Sequence, residues 1–172
     1  MSHEETQTGG WIQSAVARFE GPLVRYAAHI TGDLERGRDV VQETFLKLCR
    51  QDPSKLDGYL AEWLFTVCRN QAMDVKRKEN RMKTLTHEQA SVQKSKEVNH
   101  EAATENRDTA QHILKVLGGL SDNQQEVVRL KFQAGLSYQE ISRVTDLSVS
   151  NVGYLIHTAI QKIRKQLKID TA

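Results

Sequence analysis

The stretch 137-SYQEISRVTDLSVSNVGYLIHTAIQKIR-164 decides the fold class of this 172-residue chain. Ser137 and Glu140 form an S-x-x-E box, which satisfies orphan amides and predicts a helix starting at Tyr138. Tyr138, Ile141 and Val144 are expected to face inward. "TDL" makes a turn, and Ser148 is placed to cap a second helix. In that helix Val152, Ile156, Ala159 and Ile163 form a buried stripe, leaving Ser150, Asn151, Tyr154, His157 and Thr158 outside. Two capped helices across a short turn make a helix-turn-helix, whose second helix can enter a major groove. An ordinary helical hairpin with a solvated polar face would share the pattern.

The second helix carries no Lys or Arg before Lys162. Asn and Ser can hydrogen-bond base edges, but attraction to phosphate supplies most nucleic-acid affinity and comes from cations. Arg129, Lys131, Arg143, Lys162, Arg164, Lys165 and Lys168 would have to provide it from the flanks. Residues 113–172 hold 8 basic and 5 acidic side chains, against 11 and 12 in residues 1–80. A mildly basic C-terminal third is compatible with nucleic acid without demanding it.

Working outward, every strong apolar pattern has helical period. Ile12, Val16, Phe19, Leu23 and Ala27 predict a helix over 12–30. Val41, Phe45 and Leu48 predict a second over 34–49, and "RQDPSKLDG" follows as a loop. A third, 59–81, is expected to bury Leu60, Trp63, Leu64, Val67, Cys68 and Val75. Residues 82–112 hold few large apolar side chains and no sustained stripe, so they cannot offset their ordering entropy and read as a mobile linker with room for helix at its ends. The expected architecture is all-α: two small helical domains, 1–81 and 113–172, joined by a polar linker over 82–112, the C-terminal one a helix-turn-helix.

Several classes are excluded. The six histidines show no ligand spacing, and no phosphate loop or nucleophile motif is present. No enzyme, metal or cofactor is therefore expected. No basic leader precedes an apolar core, and no run is apolar enough to span a bilayer. Cys49 and Cys68 lack CxxC spacing and read as reduced, buried thiols of a cytoplasmic protein.

Two helices of the first domain carry a second, polar face. Asp39, Gln42, Glu43 and Leu46 fall at i, i+3, i+4 and i+7, opposite the apolar stripe; a solvated acidic stripe would look the same. On the third helix Phe65, Arg69, Asn70 and Met73 lie near the exposed side, followed by Lys76, Arg77, Lys78 and Arg81. An exposed aromatic beside Arg and Asn suits single-stranded nucleic acid, where a base stacks and cations track phosphate. Basic residues in the last turns also complement the helix dipole, so they could be purely structural.

"DVVQETFLKL", "WLFTVCRNQAMDVKRK" and "LSDNQQEVVRLKFQAGLSYQEISRVTDLSVSNV", in this order, resemble the extracytoplasmic-function group of bacterial RNA polymerase sigma factors. The resemblance implies a cytoplasmic protein that binds core RNA polymerase and directs it to promoter DNA, with an anti-sigma factor as a possible third partner. It implies core-polymerase binding by Asp39, Gln42, Glu43 and Leu46. It implies opening and holding of the minus-ten element by Phe65, Arg69, Asn70, Lys76, Arg77 and Lys78, with a flipped base received by the loop Gln51–Gly58. It implies contact with the minus-thirty-five element by Arg143, Ser150, Asn151, Tyr154, His157, Lys162 and Arg164. The sequence departs from the family at Thr66, where Arg is frequent, and at Gly153, Leu155 and Thr158, where cations are usual. The second domain is accordingly expected to bind weakly on its own. A helix-turn-helix regulator with a separate sensory domain, or a degenerate sigma acting as a protein-interaction module, are the alternatives. The first-domain motifs speak against the regulator, which has no need of them.

Overall fold

The computed structural model describes the backbone of residues 2–86 and 115–169, and the side chains of residues 9–85 and 115–166. Its regular structure is helical throughout the described residues, and the chain divides into two compact units, Met1–Val98 and Asn99–Ala172.

The first unit packs three helices, α1 (Ser2–Thr31), α2 (Leu34–Leu48) and α3 (Leu60–Thr86). Ala15, Phe19, Leu23, Tyr26, Ala27 and Ile30 recur at three- and four-residue steps and are buried, giving α1 one apolar face. Gly32, at φ +74°, ends α1, and Asp33 caps α2 by accepting from the Arg36 amide at 2.9 Å. Gly37 lets α1 and α2 approach closely. A Cβ there would lie 2.7 Å from the Ala28 backbone nitrogen and 2.9 Å from its Cα. Between α2 and α3, Leu56 is buried behind a single 3-10 turn, Pro53–Lys55.

Three expectations for this unit are corrected. Phe65 is fully buried, not exposed, because α3 packs against both α1 and α2 and its buried arc includes Leu64, Phe65, Cys68 and Ala72. Cys49, at the α2 C-cap just past the apolar stripe, is exposed; Cys68 alone is buried. Of the α3 residues expected inside, Leu60, Trp63, Val67 and Val75 are only half-buried, because they flank the arc centred on Leu64 and Cys68. The helix itself continues to Thr86, into the segment with room for helix at its ends. The rest of that segment up to His112 lies outside the described residues.

The second unit contains helical residues 115–118, then α4 (Asp122–Phe132), α5 (Tyr138–Thr145) and α6 (Val149–Ile169). Both halves of the Ser137–Glu140 capping box form, and Ser121 with Gln124 forms another at the start of α4. Asp146, at φ +60°, ends α5 in the left-handed region that Asp tolerates, and Ser142 Oγ donates to Leu147 O at 2.6 Å across the turn. Ser148 Oγ then accepts from the Asn151 amide at 3.2 Å, the cap expected for α6. Val127, Leu130, Ile141, Val152, Ile156 and Ala159 fill the core, while Ile163 is half-buried. Tyr138 is corrected from inward-facing to 40% exposed, since as the first residue of α5 it lies at the edge of the packing surface.

Candidate functional site

The two faces of α2 are cleanly divided. Val40, Val41, Thr44 and Leu48 are buried, whereas Asp39, Gln42, Glu43 and Leu46 are all exposed, Leu46 by 51%. A large apolar side chain amid carboxylates and an amide leaves a face with both charge and unburied apolar surface, the makeup of a protein-docking patch.

This face adjoins α3 across a groove of about 390 Å³. Apolar Val40 and Val75 line it together with the carboxylates of Asp39, Glu43 and Asp74, the cations Arg36 and Lys78, and the Gln71 amide. Asp39 and Glu43 of the first sequence-predicted patch therefore share one groove with Lys78 of the second. An Arg36–Glu79 ion pair ties the start of α2 to α3.

Beneath the groove a polar junction fixes the two helices. Thr44 Oγ1 donates to Val40 O at 2.8 Å within a fully buried setting. The Gln71 amide nitrogen lies 2.9 Å from Thr44 Oγ1 and 3.1 Å from Val40 O, and its oxygen accepts from Lys47 Nζ at 2.7 Å, the orientation that satisfies both ends. No buried side-chain polar atom among the described residues lacks a partner. Such a satisfied junction specifies one arrangement of α2 on α3. Sequence reading missed it: Gln71 sits inside "RNQAMD" with no pattern to separate it from its solvated neighbours.

Burial removes Phe65 from the accessible surface of α3. What remains is Asn70, Met73 and Arg77 along one stripe, with Lys76 and Lys78 exposed beside it and Arg69 half-buried. Arg77 reaches Asp74 at 3.0 Å, an exposed pair that contributes little to stability and leaves Arg77 able to exchange partners. The preceding loop has a defined shape: Asp52 accepts from Ser54 N at 3.0 Å and Ser54 Oγ at 2.7 Å, bonds that hold its carboxyl below the usual range. Gly58, at φ +79°, turns the chain into α3.

In the second unit Ser150, Asn151, Tyr154 and His157 are exposed along α6, as are Arg143, Lys162 and Arg164. Thr158 is half-buried, because Gln124 Nε2 donates to its hydroxyl at 2.9 Å. Gln124 Oε1 accepts from Ser121 N at 3.1 Å and from Lys162 Nζ at 3.2 Å. Gln124 thus completes the α4 cap and holds α6 at two positions. The S-x-x-Q spacing of Ser121 and Gln124 signals the cap, though not the bridge to α6.

Comparison with known proteins identifies the family of both units. The family model for sigma-70 region 2 matches residues 15–82, and that for sigma-70 region 4 matches residues 110–163. The chain is similar to the ECF RNA polymerase sigma factor SigM of Bacillus subtilis, 24% identical over 157 residues that span 89% of this chain and 93% of SigM. It is also similar to SigL of Mycobacterium tuberculosis, 28% identical over 151 residues covering 85% and 82% of the two chains. Among solved structures, the sigma factor RpoE in complex with the anti-sigma factor NepR from Bartonella quintana has the same fold, at a TM-score of 0.75, 23% identity and coverage of 94% and 98%. CnrH in complex with the cytosolic domain of CnrY follows at a TM-score of 0.60, with 24% identity and coverage of 92% and 88%. The chain belongs to the sigma-70 family, and within it to the extracytoplasmic-function group of RNA polymerase sigma factors.

Proposed function

We propose that this sigma factor divides its work among three surfaces. The exposed face of α2, with Asp39, Gln42, Glu43 and Leu46, docks on core RNA polymerase. Asn70, Arg69 and the Lys76–Lys78 run of α3 hold the opened minus-ten strand, with the loop Gln51–Gly58 beside them. The α6 face of Ser150, Asn151, Tyr154 and His157, with Arg143, Lys162 and Arg164 at its edges, binds the minus-thirty-five element. The unit built of α1, α2 and α3 serves polymerase binding and strand opening, residues 113–172 serve upstream recognition, and the segment between them tethers the two.

One observation carries this reading: Asp39, Glu43 and Lys78 line a single groove. Polymerase docking and strand handling then share one rigid unit, so seating α2 on the polymerase also delivers the α3 cations to DNA. The polymerase does the chemistry, and the sigma factor acts by binding and positioning in the cytoplasm, where transcription takes place. Two of the similar structures are complexes with CnrY and with the anti-sigma factor NepR, and a protein partner of that kind fits this chain as well.

Strand opening tests the reading. In permanganate footprints of the holoenzyme on a responsive promoter, Asn70→Ala should reduce thymine reactivity while leaving core-polymerase binding intact. Wild-type footprints in Asn70→Ala and in a Lys76/Lys78 double alanine variant would contradict the placement of DNA on α3.

A further inference from the structure

The outward face of α6 has an unusual chemistry for a surface that meets DNA. Residues 149–169 contain no Asp or Glu, and their Lys and Arg residues begin only at Lys162. At the front of the helix Val149 is 44% exposed and Tyr154 65%. Position 153 lies between them and has no side chain. The Tyr138 ring from α5 occupies that space, with Cε2 3.6 Å and Cδ2 3.8 Å from where a Cβ on Gly153 would be. Lys131 Nζ sits 5.3 Å from the centre of the same ring. The result is a surface on which an aromatic and an aliphatic side chain stand beside the neutral polar groups of Ser150, Asn151 and His157, with cations only around its edge.

We propose that this surface reads an A·T-containing upstream element through apolar contact: Tyr154 and Val149 against thymine 5-methyl groups, and Asn151 against the adenine N6/N7 edge. The proposal rests on the promoter-binding reading above and names the bases it selects. In the major groove only thymine presents a methyl, adenine presents the donor–acceptor pair that a carboxamide matches, and guanine is read mainly by Arg or Lys. The front of α6 offers groups for the first two bases and no Lys or Arg for the third. Exposed apolar surface gains when a methyl group displaces water from it. The absence of carboxylates on α6 lets the surface lie between two phosphate rows without repulsion, which favours DNA over a protein partner as its occupant. Gly153 and Tyr138 contribute shape, since the edge of a ring fills the place of a flexible side chain that would stand between α6 and the bases.

The test uses holoenzyme assembled from core RNA polymerase and the full chain, on promoter duplexes selected from a random library. Each upstream thymine is replaced in turn by deoxyuridine, which keeps every hydrogen-bonding edge and loses only the methyl. Affinity should fall about fourfold at one or two positions, the effect of one buried methyl group. Tyr154→Ala should weaken the complex and erase the thymine–deoxyuridine difference at its position, and Asn151→Ala should relax the preference for adenine nearby. Indifference to deoxyuridine at every position overturns the proposal, as does a difference that survives both Tyr154→Ala and Val149→Ala. If Tyr154→Ala loosens assembly with core polymerase and has no base dependence, the surface docks protein and the proposal fails. A holoenzyme that forms no promoter complex at all would overturn the promoter-binding reading itself. One that binds promoters but ignores the methyl overturns only this inference.

Discussion

The Phe65 ring meets the Tyr26 ring edge-on, with centroids 5.5 Å apart and planes at 63°. Both rings are buried, so this contact joins α3 to α1 in the heart of the first unit. Phe65→Ala should therefore cost about 3–5 kcal/mol of stability, the usual loss for an aromatic deleted from a packed core. Thermal unfolding of the isolated protein checks this. A melting temperature unchanged from wild type would place the ring elsewhere.

Gly37 makes a second prediction about packing. Its missing Cβ is the condition for the close approach to the Ala28 backbone, which cannot swing aside as a side chain would. Gly37→Ala should destabilise by about 1–3 kcal/mol despite the better helix propensity of Ala. Gly10, within α1, has nothing within 4 Å of its would-be Cβ. Gly10→Ala should be neutral or stabilising by up to about 1 kcal/mol. Chemical denaturation of the pair distinguishes steric from propensity effects, and equal shifts in both variants would contradict the close crossing.

The two cysteines should behave differently. Burial pushes the Cys68 thiol up to about 12, partly offset by its hydrogen bond with Thr44, whereas Cys49 is exposed. Thiol titration of the native protein should give one fast-reacting group, lost in Cys49→Ser, and a second that reacts only on unfolding. The unfolded thiol ionises near 9.0, so the folded state holds the proton more tightly between that value and about 12. The stabilisation is fully present below pH 9.0 and is lost as pH rises toward 12. Stability of wild type relative to Cys68→Ala should fall over that range, and a flat difference would contradict the burial.

Local chemistry made much of the fold legible. Ser137 and Glu140 announce a helix start, Ser148 announces the next, and the α2 stripe of Val41, Phe45 and Leu48 tells its inner side from its polar one, with Phe45 half-buried at the margin. Errors arose where tertiary packing decides. Phe65 falls outside the apolar stripe that a helix with one neighbour needs, and α3 has two neighbours. Gly37 and Thr44 carry no periodic signal, since their burial depends on how close the facing helix comes. The Gln124 bridge to Thr158 and Lys162 links residues 34 and 38 positions apart, a separation that spacing rules do not reach.

The α2 face should lose affinity for core polymerase when its charge is reversed. Glu43→Lys is expected to weaken the complex by about 1–3 kcal/mol, and an Asp39→Lys/Glu43→Lys double variant by more. Both side chains are exposed, so folding should be unaffected and circular dichroism unchanged. Co-purification of the folded double variant at wild-type yield would remove this face from the polymerase interface.

Runoff transcription with core RNA polymerase and a promoter library tests the central claim most directly. Core polymerase supplemented with this protein should initiate at a discrete set of promoters sharing two short elements. Truncation after Leu120 should change which of those promoters are used and how strongly. Transcription no different from that of core polymerase alone, with the folded full-length protein present, would contradict the account.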